Sequence, residues 1–131
     1  QLRNTGTVLA TQAEMEAGSS TAAFVTPGRT QYHPGVAKAF CVIEGAGTLQ
    51  AGSHNVASIT DTGTGDSTVV IATDFSGSAY TVASNSYDKD VTAFNVVCNT
   101  FAAGSVRNAT YDCEGNALVD TQRGWVAYGD Q

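Results

Sequence analysis

Residues 55–73 read Asn55-Val56-Ala57-Ser58-Ile59-Thr60, then Asp61-Thr62-Gly63-Thr64-Gly65-Asp66, then Ser67-Thr68-Val69-Val70-Ile71-Ala72-Thr73. Six turn formers separate two runs in which Val, Ile and Thr recur. Asp and Gly accommodate tight backbone geometry, and branched side chains suit a pleated surface, so the stretch predicts a β-hairpin. In the second arm Val69 and Ile71 alternate with Val70 and Ala72, and hydrophobicity alone does not separate its two faces. Outward from this hairpin, further strands are expected over residues 37–43, 79–83, 91–99, 105–111 and 124–128, with Phe94 and Val96 on one face. Seven short strands at regular spacing with Gly-rich turns predict an all-β fold, an antiparallel β-sandwich of jelly-roll-like type.

Composition agrees with this. The 131 residues include 14 Gly, 17 Thr and 10 Ser but only two Pro, and 42% are hydrophobic while 14% are charged. A chain of this length buries about 65–70% of its unfolded surface, enough for one core without a metal or disulfide. The formal net charge is −6, and no basic residues cluster. This disfavours nucleic acid and anionic membrane surfaces as partners, because both are held by grouped Lys and Arg. No apolar run approaches the length of a membrane span. Gln1 to Thr7 do not resemble a signal peptide, and the absence of an initiator Met fits a processed or trimmed chain. Cys41, Cys98 and Cys113 are widely spaced and odd in number, which predicts reduced thiols; one bridged pair stays open for a chain outside a cell.

The first 35 residues differ from the remainder, dividing the chain into an N-terminal arm (1–35) and a β-domain (36–131). Thr11-Gln12-Ala13-Glu14 has the capping-box form, in which a hydroxyl and a carboxylate three residues on satisfy each other's backbone N–H. A two-turn helix over residues 12–17 follows, closed by Gly18. Pro27-Gly28 and Pro34-Gly35 signal turns along an otherwise extended arm.

Motifs for catalysis are missing: no nucleophile elbow, phosphate-binding glycine loop or His-Glu-x-x-His helix is present. Residues 61–66 superficially resemble a calcium loop, but Gly63 and Ala72 stand where its third and twelfth ligands belong, which favours a hairpin turn. His33 and His54 have no ligand-type neighbour at metal spacing, so each reads as a hydrogen-bonded or exposed ring. In a symmetric trimer, three copies of His33 near the axis would offer an alternative metal or water site. Asn108-Ala109-Thr110 is a glycosylation sequon, relevant only after eukaryotic secretion. Tyr87-Asp88-Lys89-Asp90 is the most polar loop beside an aromatic; it suits either a glycan contact or a solvated turn. Trp125, flanked by Val126 and Ala127, is expected in a buried strand rather than as a stacking platform. No cofactor is implied.

The stretch Ala10 to Gly18, continued by Val25-Thr26-Pro27, resembles a segment found in bacteriophage tail-fibre proteins: an Ala-Thr start, a short Glu-bearing helix, Gly, and Val-Thr-Pro after a small polar spacer. Gln31 to Phe40, Asn55 to Asp61 and Gly63 to Asp66 are similar to a subset of phage virion proteins, whose strand usually carries Trp at the position of Phe40. The Gly129-Asp130 ending is similar too, and implies that Gln131 is a natural C-terminus. The resemblance implies a virion structural protein rather than an enzyme, located in the virion after assembly in the bacterial cytoplasm. It also implies a homotrimer that contacts other virion proteins.

A helix of two turns cannot bury itself, so the arm becomes a docking or trimerisation element, with Met15, Phe24, Val25 and His33 as expected interface residues. The β-domain would then face a host glycan or protein. Two other readings compete: a capsid decoration or head-fibre protein, and a surface-polysaccharide hydrolase, which needs two carboxylates about 5–10 Å apart in a groove.

Overall fold

A computed structural model describes residues 8–87 and 94–131. The chain divides into two compact units, Gln1–Val36 and Ala37–Gln131. In the first, helix α1 (Gln12–Ala17) forms where the capping box places it. The Thr11 hydroxyl accepts the Glu14 N–H at 3.2 Å, and the Glu14 carboxylate accepts the Thr11 N–H at 2.8 Å. Gly18 closes the helix at φ 60°, in the left-handed region. Pro27-Gly28 opens a single helical turn, α2 (Pro27–Thr30), rather than the plain turn expected; proline suits a first helical position because its missing N–H would have no partner there. Leu9 and Phe24 form a short parallel bridge. The Ala10 N–H donates to the Phe24 carbonyl, and the Phe24 N–H to the Val8 carbonyl, each at 2.9 Å.

The second unit is an antiparallel β-sandwich, as the strand spacing predicts. Its strands are β1 (Ala39–Ile43), β2 (Val56–Gly63), β3 (Asp66–Ile71), β4 (Thr81–Tyr87), β5 (Phe94–Ala102), β6 (Ser105–Asp112) and β7 (Gln122–Tyr128). One sheet has the order β1-β7-β4 and the other β2-β3-β6-β5. The β2–β3 hairpin turns at Thr64-Gly65, with a register shift between Asp61 and Gly63 that marks a bulge. Residues 91–93 of the expected fifth strand lie outside the described residues.

The core lies between the sheets. Ala39, Cys41 and Ile43 of β1, Trp125 and Ala127 of β7, Val69 and Ile71 of β3, and Val106 of β6 are all buried. The face of β3 that hydrophobicity left open is thus settled by packing: Val69 and Ile71 point inward, and Val70 is only half-buried. A segment between β3 and β4 adds two aromatics. Phe75 and Tyr80 stack at 4.1 Å, and Tyr80 meets Phe101 edge-on at 5.1 Å. The Tyr80 hydroxyl lies 2.9 Å from the Ser105 carbonyl, and burial pushes its pKa up to about 12.

Part of the core is polar. Arg123 is 1% exposed, with its guanidinium donating to the Ser67 hydroxyl at 2.7 Å and the Thr121 carbonyl at 3.1 Å. Asn108, fully buried, donates to the Cys98 sulfur at 3.3 Å. The sequon asparagine is therefore closed to a glycosyltransferase in the folded state.

Candidate functional site

Two surface features concentrate the chemistry of this chain, one in each unit. In the β-unit, register fixes what faces out. The rows Ala39–Ala127–Val82, Cys41–Trp125–Ser84 and Ile43–Arg123–Ser86 cross β1, β7 and β4 on the inner face. The rows between them, Phe40–Val126–Ala83 and Val42–Gly124–Asn85, therefore lie on the outer face. A groove of about 400 Å³ runs over them. Val126 and Gly124 lie along it; Phe40 lines it from β1 in the Val126 row, and Tyr87 from β4 in the Gln122 row, four residues along.

Gly124 shapes this groove. A Cβ at that position would sit 2.6 Å from Asn85 Oδ1 and 3.0 Å from the Tyr87 ring. The missing side chain lets the Asn85 amide and the Tyr87 ring rest directly on the β7 backbone. Tyr87 nonetheless keeps 52% of its surface exposed, and Phe40 43%. Phe40 is backed by His54, whose ring stacks at 5.6 Å while the two residues exchange backbone hydrogen bonds of 2.9 and 3.0 Å. His54 thus has a local packing role. None of the described residues lining the groove is Asp, Glu, Lys, Arg or His.

Of the expected glycan-contact residues, Tyr87 lies at this groove, while Asp88, Lys89 and Asp90 fall outside the described residues. Phe40, Asn85 and Gly124 were not expected here. Only Gly124 carried a signal in the sequence: an isolated glycine in a strand pattern marks a close approach by another group. Trp125 is 3% exposed and structural, as its neighbours predicted.

In the N-terminal unit, Met15, Val25 and His33 line one cleft of about 210 Å³ together with Ala10 and Ala23. Met15 is 8% exposed, whereas Phe24 and Val25 are 65% and 51% exposed. Val8 and Leu9, at 63% and 51%, are likewise exposed beside the Leu9–Phe24 bridge. His33 Nδ1 accepts the Gly35 N–H at 3.0 Å, which ties the ring into its own turn.

Arg107 holds Asp66 through two hydrogen bonds of 2.8 and 2.5 Å, and this keeps the Asp66 carboxyl below its ordinary range. Burial pushes the Cys41 thiol up to about 12, and all three cysteines are unpaired. Among the described residues no three His, Cys, Asp or Glu side chains converge on a possible metal position. No helix is long and apolar enough to cross a membrane, again among the described residues. Comparison with protein-family models, curated proteins and solved structures finds no match to this chain.

Proposed function

We propose that this chain is a structural domain of a bacteriophage virion appendage, a tail fibre or spike. In this reading it assembles as a homotrimer through its N-terminal unit and presents the β-sandwich to the host surface. The observation that carries the reading is the exposure of four apolar side chains, Val8, Leu9, Phe24 and Val25, each at least half exposed, on a unit of 36 residues. A unit that small holds too little core to be stable by itself, and copies packed around an axis would cover these side chains. The sequence resemblance of residues 10–27 to tail-fibre segments points the same way.

A non-catalytic role is part of the proposal. The groove over β7 has no carboxylate among its described lining residues, whereas glycoside hydrolysis needs two. Light scattering of the purified chain across a dilution series tests assembly. A mass of three chains that persists on dilution is the expected result. Phe24→Asp should shift that mass toward one chain, because it places a charge at the most exposed of these apolar positions. A wild-type chain that stays monomeric at every concentration would remove the trimer and move the assignment to a capsid decoration protein.

A further inference from the structure

The geometry points to the free edge of β4 as the place where two copies of this chain pair, antiparallel, joining their β1-β7-β4 sheets into one of six strands. Each edge strand of a sandwich presents a row of N–H and C=O groups, which pair with any extended chain unless something prevents it. Three of the four edges here carry such a device. Leu49 and His54 bridge to Ile43 and Phe40 and cover β1. β2 is broken by register shifts between Val56 and Ser58 and between Asp61 and Gly63. β5 is broken between Asn99 and Ala102, where Thr100 takes φ 51°.

β4 carries none of them. Its residues, Thr81-Val82-Ala83-Ser84-Asn85-Ser86-Tyr87, include no charge and no proline. Its register with β7 runs unbroken from Thr81 to Tyr87. Every second residue therefore turns its N–H and C=O away from β7. Among the described residues no strand or bridge takes these groups up. Thr81, Ala83, Asn85 and Tyr87 are exposed, and Val82, Ser84 and Ser86 are only half-buried. Apart from Tyr87 these side chains are small, which leaves room for a second backbone alongside.

A second copy is the occupant this strand fits. The chain has a formal net charge of −6, so two copies meet most readily along an uncharged strand. Antiparallel pairing about a two-fold axis at Ser84 engages the whole of β4 and closes on itself. It sets Thr81 of one copy opposite Tyr87 of the other, Val82 opposite Ser86 and Ala83 opposite Asn85, with no like charges facing within the strand. β5 lies across from β4 on this side of the sandwich, with Cys98 Sγ 3.8 Å from Ser84 Oγ. A strand of this length runs about 23 Å, and two packed sheets with their side chains are about 20 Å deep, so pairing covers about 450 Å² on each copy. That is the low end for specific interfaces and predicts a dimer that dissociates on dilution. The contact uses the β-unit alone; it doubles whatever assembly the N-terminal unit forms and does not rest on the trimer.

The experiment is sedimentation equilibrium of the full chain from about 10 μM to about 1 mM, a range that brackets weak interfaces. Two double variants change the same exposed positions of β4. Ala83→Lys with Asn85→Lys sets lysine opposite lysine twice across the axis, whereas Ala83→Lys with Asn85→Glu sets lysine opposite glutamate twice. The wild-type mass should double over the range, and the Lys/Lys variant should keep the lower mass. The Lys/Glu variant should associate about tenfold or more tightly than the Lys/Lys variant. Amide exchange of the wild-type chain reads the same contact without a substitution: β4 amides should gain protection as the mass doubles. A wild-type mass that stays constant to about 1 mM overturns the proposal. So does a Lys/Lys variant that associates as tightly as wild type or as the Lys/Glu variant. β4 amides protected at every concentration without a change in mass also overturn it, because another segment of the same chain then covers the edge.

Discussion

At the scale of single residues, charge and burial set distinct behaviours for groups of the same type. Asp66 is ionised below its ordinary range, chiefly because Arg107 donates hydrogen bonds to it. A depressed folded-state value means this contribution is fully present above about pH 4, the unfolded value, and is lost as pH falls through the folded one. Asp66→Asn should therefore lower Tm by a few degrees at pH 7, and the gap from wild type should close below about pH 4 in thermal melts. The effect is modest because Arg107 is 45% exposed and solvent screens the pair. The cysteines divide by accessibility. Cys113 is exposed, whereas Cys41 is buried with its thiol pushed up to about 12. A thiol reagent under native conditions should label Cys113 first and reach Cys41 only on unfolding; early labelling of Cys41 would contradict its place in the core. Spacing favoured reduced thiols, but which thiol is shielded depends on strand partners far away in the chain.

At the scale of elements, local signals carried furthest where every participant lies within a few residues. Thr11, Glu14 and Gly18 specify α1 by themselves, and both its bounds and its capping box follow from the sequence. Thr11→Ala should remove about 1 kcal/mol from this helix, read as faster amide exchange at Met15 and Gly18. The β2–β3 hairpin was legible as a hairpin, but its turn was not: Asp61, Thr62, Gly63 and Asp66, expected in the turn, extend the two strands, and only Thr64-Gly65 turn. Its glycines are unequal. Gly63 has φ 138° and open space beside it, while Gly65 has φ 65° and lies where a Cβ would meet Val119 N at 2.6 Å and Val119 O at 2.7 Å. Gly65→Ala combines left-handed strain with a backbone clash and should destabilise by about 2–4 kcal/mol. Gly63→Ala keeps only the conformational penalty, about 1–2 kcal/mol. Denaturant melts of the two variants compare them directly; equal losses would mean that Val119 moves aside freely. This difference was invisible in the sequence, because Val119 is 54 positions from Gly65 in the chain.

At the scale of the whole molecule, the pairings that build the sandwich are long-range. β3 joins β6, and β7 joins both β1 and β4. Chelation with EDTA should move Tm by less than about 1 °C, since no ligand cluster exists among the described residues; a large drop would place a metal in the folded chain. Turn chemistry and short β-prone runs were enough to determine the all-β class, the approximate positions of seven strands, the capped helix and the burial of Trp125. Each of these follows from side chains acting on backbone within a turn or a strand. Tertiary structure alone decided that Val69 rather than Val70 faces the core, that Arg123 is buried against Ser67, and that Phe40 and Tyr87 line one groove with Gly124. Those outcomes depend on register: a one-residue slip in β7 would exchange Gly124 for Trp125 on the outer face, and the alternation of its side chains is fixed only when partner strands bury one set.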